Sequence, residues 1–305
     1  MEKTKVAAIQ WITLGLLGSI WGSSFMLMKI GTRAFSTIEV SSLRMFFGGI
    51  LALPFLGVIM IKYDRKILFW MFVSAMLGSA IPSLFYAYSA SRMDSNLNGV
   101  INSLTPLFTL IVGIIWLKYK TNLISLIGIF IGFFGVLILF TQKSTTYAQA
   151  QYAIFPLIAT MMYGVNMNIV KIKLSHLPSR DILLGVFGIL GCIYLPIVLY
   201  LGVFEHIDLH KFSITFWITN PDGVSQKMKS LEAMLLLGFI GSLAASFIFY
   251  MLLKRTNALF ASTNTYLIPL MSIFWGYLDG ESISWVHFVS LLIILLGVYI
   301  VSVRK

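Results

Sequence analysis

Long apolar runs separated by short polar clusters set the pattern of this chain. Ten runs reach the roughly 20 residues that a helix needs to cross the hydrocarbon core of a bilayer. They cover residues 7–31, 37–61, 67–91, 95–117, 122–141, 151–173, 181–204, 231–253, 258–278 and 283–303. In lipid every backbone N–H and C=O must be satisfied inside the segment, so such runs are predicted to be helices. The pattern predicts an all-α polytopic membrane protein with ten transmembrane helices. Lys3 and Lys5 precede the first run as they would in a signal peptide. That run continues to about Ile30 without a small-residue cleavage site, and it is read as the first helix.

Composition agrees with the pattern. Of 305 residues, 58% are hydrophobic and 11% charged, with a mean hydropathy of +0.91, too apolar for a water-facing surface. The net charge of +11 is spread over short clusters with no aromatic-interleaved patch, which points to loop anchoring and excludes a nucleic-acid partner. With the N-terminus inside, fourteen Lys and Arg fall on the cytoplasmic side and six outside. The positive-inside rule then puts both termini in the cytoplasm, and the bacterial inner (cell) membrane is the expected location. Cys192 is the only cysteine, so an internal disulfide or a cysteine-based metal site is excluded.

The two halves of the chain repeat. A shift of 142 residues lays Trp21-Gly22 on Tyr163-Gly164, Lys29 on Lys171, Glu39 on Asp181, Gly49 on Gly191 and Leu53-Pro54 on Leu195-Pro196. A shift of 163 then lays Gly78-Ser79 on Gly241-Ser242, Ser83 on Ser246 and Pro106-Leu107 on Pro269-Leu270. The 21-residue change of shift is taken up by an insertion at 205–229, expected in an outer loop. Five helices precede the second copy, and five is odd, so residues 1–145 and 146–305 are expected to form inverted five-helix repeats.

Trp21-Gly22, Arg44, Pro106, Pro269 and Gly280-Glu281, in this order and spacing, resemble the drug/metabolite transporter superfamily, specifically its ten-helix EamA-type transporters. The resemblance spans essentially the whole chain. It implies a substrate cavity near the middle of the membrane, lined by helices one, three, four, six, eight and nine, and it alone implies export. In one respect the chain departs from the pattern: Glu281 corresponds to Lys118 in the first half, where similar proteins often carry an acid.

The residues point to the same cavity. Trp21, Ser24, Ser79, Tyr86, Asn102, Tyr163, Asn166, Ser242, Tyr250, Asn264 and Thr265 are polar or amphipathic groups inside spans. In hydrocarbon such groups cost free energy unless paired, so they are expected to face the bundle interior. A single serine there often only knits helices together. The asparagines, flanked by Tyr and Trp, favour a substrate-binding role. Trp70, Trp116 and Trp285 lie at span ends and read as interfacial belts.

Pro106 and Pro269 occupy matching places in spans four and nine, where each is expected to kink its helix and to act in gating. Two readings fit Lys29 and Lys171 at the two mouths: ammonium groups snorkelling to the interface, or anion-binding lysines. Arg44 lies five residues after Glu39 and is expected to pair with it. His206, Asp208 and His210 have a spacing that suits metal, but they lie in the insertion and read as a solvated loop. No catalytic carboxylate pair, nucleophile elbow or phosphate-binding loop is present in the sequence.

These readings converge on a secondary transporter, not an enzyme, that needs no cofactor. It is expected to export small amphipathic metabolites, amino-acid-like or similar, by alternating access. An exchanger of anionic, phosphorylated metabolites is the alternative within transport, and a non-transporting intramembrane enzyme or scaffold is the competing class. The expected partners are a small-molecule substrate and the lipid bilayer, with the protein a monomer or homodimer.

Overall fold

The computed structural model describes residues 2–118, 123–139, 151–204, 226–256 and 258–303. Most of the insertion at 205–229, with His206, Asp208 and His210, lies outside the described residues. All regular elements among the described residues are helical. In chain order they are α1 (Glu2–Gly31), α2 (Thr37–Ile50 continuing through Leu53–Lys62), α3 (Arg65–Ala90), α4 (Ser95–Trp116) and α5 (Leu123–Leu139). Then follow α6 (Gln151–Leu174), α7 (Ser179–Tyr200), α8 (Gln226–Arg255), α9 (Ala258–Ser262, Thr263–Tyr266 and Ile268–Leu278) and α10 (Trp285–Val303).

Six helices are each long and apolar enough to cross a membrane, and α2 is a seventh span if its two arms, 55° apart, count as one. The apolar parts of α5, α9 and α10 are shorter. The bend in α2 follows from Pro54, which opens the short helical turn at Leu53–Phe55 and cannot donate to the turn before it. Pro196, its counterpart, sits inside an unbroken α7.

Local chemistry sets the helix starts. Ser36 Oγ accepts from Glu39 N while Ser36 N donates to Glu39 Oε2 at 2.7 Å, a reciprocal capping box that begins α2. Asp64 Oδ1 accepts from Ile67 N at 2.8 Å and begins α3. Glu39 is thereby occupied by its own helix terminus and does not pair with Arg44, contrary to the sequence expectation.

Helix pairing follows the repeat. Helix α1 packs on α9 as α6 packs on α4, α2 packs along α7, and α5 along α10. Where α2 crosses α7, the matched residues Gly49 and Gly191 face each other, and a Cβ on Gly49 would stand 2.6 Å from Gly191 Cα. Only a residue without a side chain allows this backbone contact. The apolar residues left exposed, such as Ile61, Phe130, Leu292 and Tyr299, lie on the outside of the bundle, where hydrocarbon replaces water as the solvent.

Candidate functional site

Helices α1, α2, α3, α4, α6, α8 and α9 line a central cavity of about 100 Å³. Aromatic and aliphatic side chains supply most of its wall, with polar groups set at intervals, as in small-molecule sites generally. Trp21, Ser24, Ser79, Tyr86, Asn102, Tyr163, Asn166, Ser242, Tyr250 and Thr265 all line it. Asn264 does not: it is fully buried away from the cavity, where its segment of α9 packs on α1, and its carbonyl lies 3.0 Å from a Cβ built on Gly18. One residue further along a helix is a rotation of about 100°, and the neighbouring Thr265, four residues before Pro269 as Asn102 is before Pro106, takes the inward position.

Glycines bring the walls together. A Cβ on Gly22 would meet Met271 Cβ at 2.5 Å and the Ile268 carbonyl at 2.8 Å, so α1 lies directly on the backbone of α9. Gly164 does the same for α6, with Phe108 C and Thr109 N each at 2.8 Å. This explains the glycine in both copies of the aromatic-glycine motif. Gly78 packs against Asn166, and a Cβ on Gly241 would stand 3.1 Å from Ser24 Oγ.

Helices α3 and α8 widen into π-helical turns at Met76–Ala80 and Leu237–Ala244, which carry Gly78-Ser79 and Gly241-Ser242 to the cavity. Such turns displace one backbone hydrogen bond and commonly mark functional positions. Here Trp21 Nε1 donates to Gly241 O at 2.9 Å. The Trp21 N–H is therefore spent on the scaffold, and its ring serves as wall. Tyr86 OH donates to Asn102 Oδ1 at 2.8 Å and lies 2.9 Å from Thr160 Oγ1, tying α3, α4 and α6 together. The rings of Tyr86 and Tyr163 stack with centroids 6.0 Å apart and planes 18° from parallel.

The prolines sit at breaks. Pro106 occupies the first turn of Thr105–Leu117, just after the turn at Ser103–Leu104, and Pro269 the first turn of Ile268–Leu278, after a short 3₁₀ segment. They lie at the start of new helical segments and not in helix interiors, where proline is well tolerated. The carbonyl of Asn102, deprived of a partner by Pro106, accepts from Thr105 Oγ1 at 2.7 Å.

Arg44, expected from the sequence to pair with Glu39, is instead the one charged residue of the cavity wall. Its Nε donates to Ser242 Oγ at 2.9 Å, and Nη1 lies 3.5 Å from Met28 Sδ. The mouth lysines are not free for solute. Lys29 Nζ pairs with Glu281 Oε1 at 2.6 Å and Asp279 Oδ2 at 3.0 Å. Lys171 Nζ donates to the carbonyls of Leu253, at 2.9 Å, and Thr256. Snorkelling and anion capture both give way to structural bonds that tie helix ends together.

At the end of the bundle opposite Lys29, Asp181 Oδ2 accepts from Lys62 Nζ at 2.5 Å and Tyr63 OH at 2.6 Å, joining α2 to α7. Lys254 Nζ donates to the Leu177 carbonyl at 3.1 Å. The cavity thus lies between two bonded ends.

Comparison with known proteins agrees with this arrangement. The model of the EamA-like transporter family matches residues 9–141 and again residues 151–303. An uncharacterized transporter of Archaeoglobus fulgidus is 26% identical, with 97% of this chain and 99% of that protein covered. Protein PagO of Salmonella typhimurium and the uncharacterized transporter YoaV of Bacillus subtilis are each 22% identical, over 95% and 94% of this chain and 91% and 95% of their own lengths. A solved crystal structure shares the fold at a TM-score of 0.62 and 12% identity, covering 97% of this chain and 96% of its own. With both halves of its length matched, the chain belongs to the EamA-like transporter family and is a membrane transporter.

Proposed function

We propose that this protein is a secondary transporter that exports small amphipathic, amino-acid-like metabolites by alternating access. The observation that carries the reading is the cavity wall, to which both halves contribute matched residues: Trp21 with Tyr163, Ser24 with Asn166, Ser79 with Ser242, Asn102 with Thr265. A site built this way belongs equally to both halves, as alternating access between two mirror-related shapes requires. We take residues 1–145 and 146–305 as inverted repeats, the second carrying the insertion at 205–229, with both termini on the cytoplasmic side of a bacterial inner membrane. The direction of transport rests on the family resemblance. The bonding of Lys29 and Lys171 to other parts of the protein disfavours the exchanger of phosphorylated metabolites, which needs free cations at the mouths.

Solute counterflow in proteoliposomes tests this. Vesicles preloaded with an unlabelled amphipathic solute are expected to accumulate external labelled solute transiently above equilibrium, without ATP. Absence of counterflow for every solute that binds the purified protein removes the transporter reading and leaves a scaffold.

A further inference from the structure

Arg44 is a cation in the wrong place for a purely structural role. It projects from the middle of α2 (Thr37–Ile50) into the central cavity, where no other lining residue is charged. The ion pairs among the described residues gather at the two ends of the bundle, and none includes Arg44. Its partners are a serine hydroxyl and a thioether. Guanidinium carries five N–H donors, and only two of them are used here, on a residue of the cavity wall. A charge held inside a membrane bundle without a counter-charge is costly. An anion in the cavity relieves that cost.

A second group points to the same occupant. Asn166, 8% exposed and on the cavity wall, has a side-chain carbonyl with no hydrogen-bond partner in the protein. It is an unpartnered acceptor within the wall, which a turn of the side chain would bring to a solute N–H or O–H. The rings of Trp21, Tyr163 and Phe249 line the same cavity.

We infer that Arg44 anchors the carboxylate of the transported solute, and that the solute is an organic monocarboxylate with one hydrogen-bond donor for Asn166 and an apolar or aromatic body. This deepens the transporter reading and rests on it. Guanidinium matches carboxylate in a bidentate fork, and a single cation balances one negative charge. A phosphate monoester brings two charges to a site that offers one, and a neutral amide leaves Arg44 uncompensated. The same balance favours exchange over net flux: the loaded cavity is near neutral, whereas the empty one carries a bare charge through the occluded state.

The test uses the full-length protein in lipid nanodiscs with three phenyl-bearing probes: 3-phenyllactate, whose hydroxyl supplies the donor, its amide, and phenyl phosphate. The wild type is expected to bind the carboxylate about tenfold or more tightly than the other two, as a charge-assisted pair implies. Arg44→Gln is expected to erase that preference, and Arg44→Lys to keep part of it. The comparison of probes on the wild type stands even if a variant fails to fold. Equal binding of the amide or the phosphate, no binding of the carboxylate, or an unchanged preference in a folded Arg44→Gln protein overturns the assignment. Carboxylate binding through Arg44 without counterflow upholds the anchor and defeats the transporter reading. Counterflow of amide and carboxylate alike upholds transport and defeats the anchor.

Discussion

Lys29 and Glu281, 252 residues apart, meet at 2.6 Å, and the same carboxylate closes the start of α4. Glu281 Oε1 also accepts from Ser95 N and Ser95 Oγ, each at 2.8 Å, and Oε2 accepts from Asn96 N at 3.2 Å. Asp94 stands at the capping position of α4 but makes no cap. A side chain from the α9–α10 connection thus supplies the anion that a helix N-terminus attracts, and it binds α1, α4 and α9 into one closed end. At the other end the matched Lys171 has only backbone carbonyls, because Lys118 stands where an acid would answer Glu281.

Removal of this carboxylate leaves Lys29 with Asp279 alone and two helix-end N–H groups unanswered. Glu281→Ala is expected to destabilise the folded protein by about 2–4 kcal/mol, read as a lowered melting temperature in nanodiscs. Lys29→Ala costs less, and the double variant is expected to cost less than the sum. Strict additivity means that the two residues do not interact.

The acids of this end carry opposite pH signatures. Burial pushes the Asp279 carboxyl up, but Arg33 and Lys29 more than reverse this and hold it below the usual 3.8. Its contribution is present at neutral pH and is lost as pH falls below about 4. Asp94 is raised, by burial and then by the charge of Glu281, so its ionised form opposes folding. Asp94→Asn is expected to raise the melting temperature at pH 7, and Asp279→Asn to lower it. Melting curves that move in the opposite directions contradict these assignments.

At the helix crossings, Gly22→Ala and Gly164→Ala place a methyl group into backbone. Each is expected to cost about 1–3 kcal/mol and to slow counterflow by spreading α1 from α9 or α6 from α4. Ala at Gly57, which meets nothing within 4 Å, is the matched control. Equal melting temperatures for all three variants contradict the close packing.

The prolines are expected to act on rate more than on stability. Pro106→Ala and Pro269→Ala each restore a backbone N–H near a helix break, at a stability cost of at most about 1 kcal/mol. Both are expected to fold and to exchange solute more slowly, and normal turnover in both reduces the breaks to packing features.

Much of the fold was legible in the sequence because membrane helices announce themselves by apolar length, and a constant shift lays residues of one half on similar residues of the other. The shift also pairs Asn102 with Thr265, whereas residue type alone named Thr265 and Asn264 alike, the second being one step away and on another face. Arg44 was assigned to a pair with Glu39 because the two are near in sequence. Five residues apart on a helix is the wrong spacing for a pair, since neighbours fall at three and four. A better signal was present: the shift lays Arg44 on Val186, so it is a charge in one half with no counterpart in the other. The contact of Lys29 with Glu281 was not legible, because it depends on how α9 meets α1 and α4.

We propose that one cavity opens in turn to each side of the membrane. Single cysteines at Ser79 and Ser246, which line the cavity, test it most directly, in a background where the exposed Cys192 is replaced by serine. A membrane-impermeant thiol reagent is applied to right-side-out and to inside-out vesicles. Both cysteines are expected to react from both faces, with bound solute slowing each reaction. Reaction of both cysteines from one face only, in the presence and absence of solute, contradicts the claim.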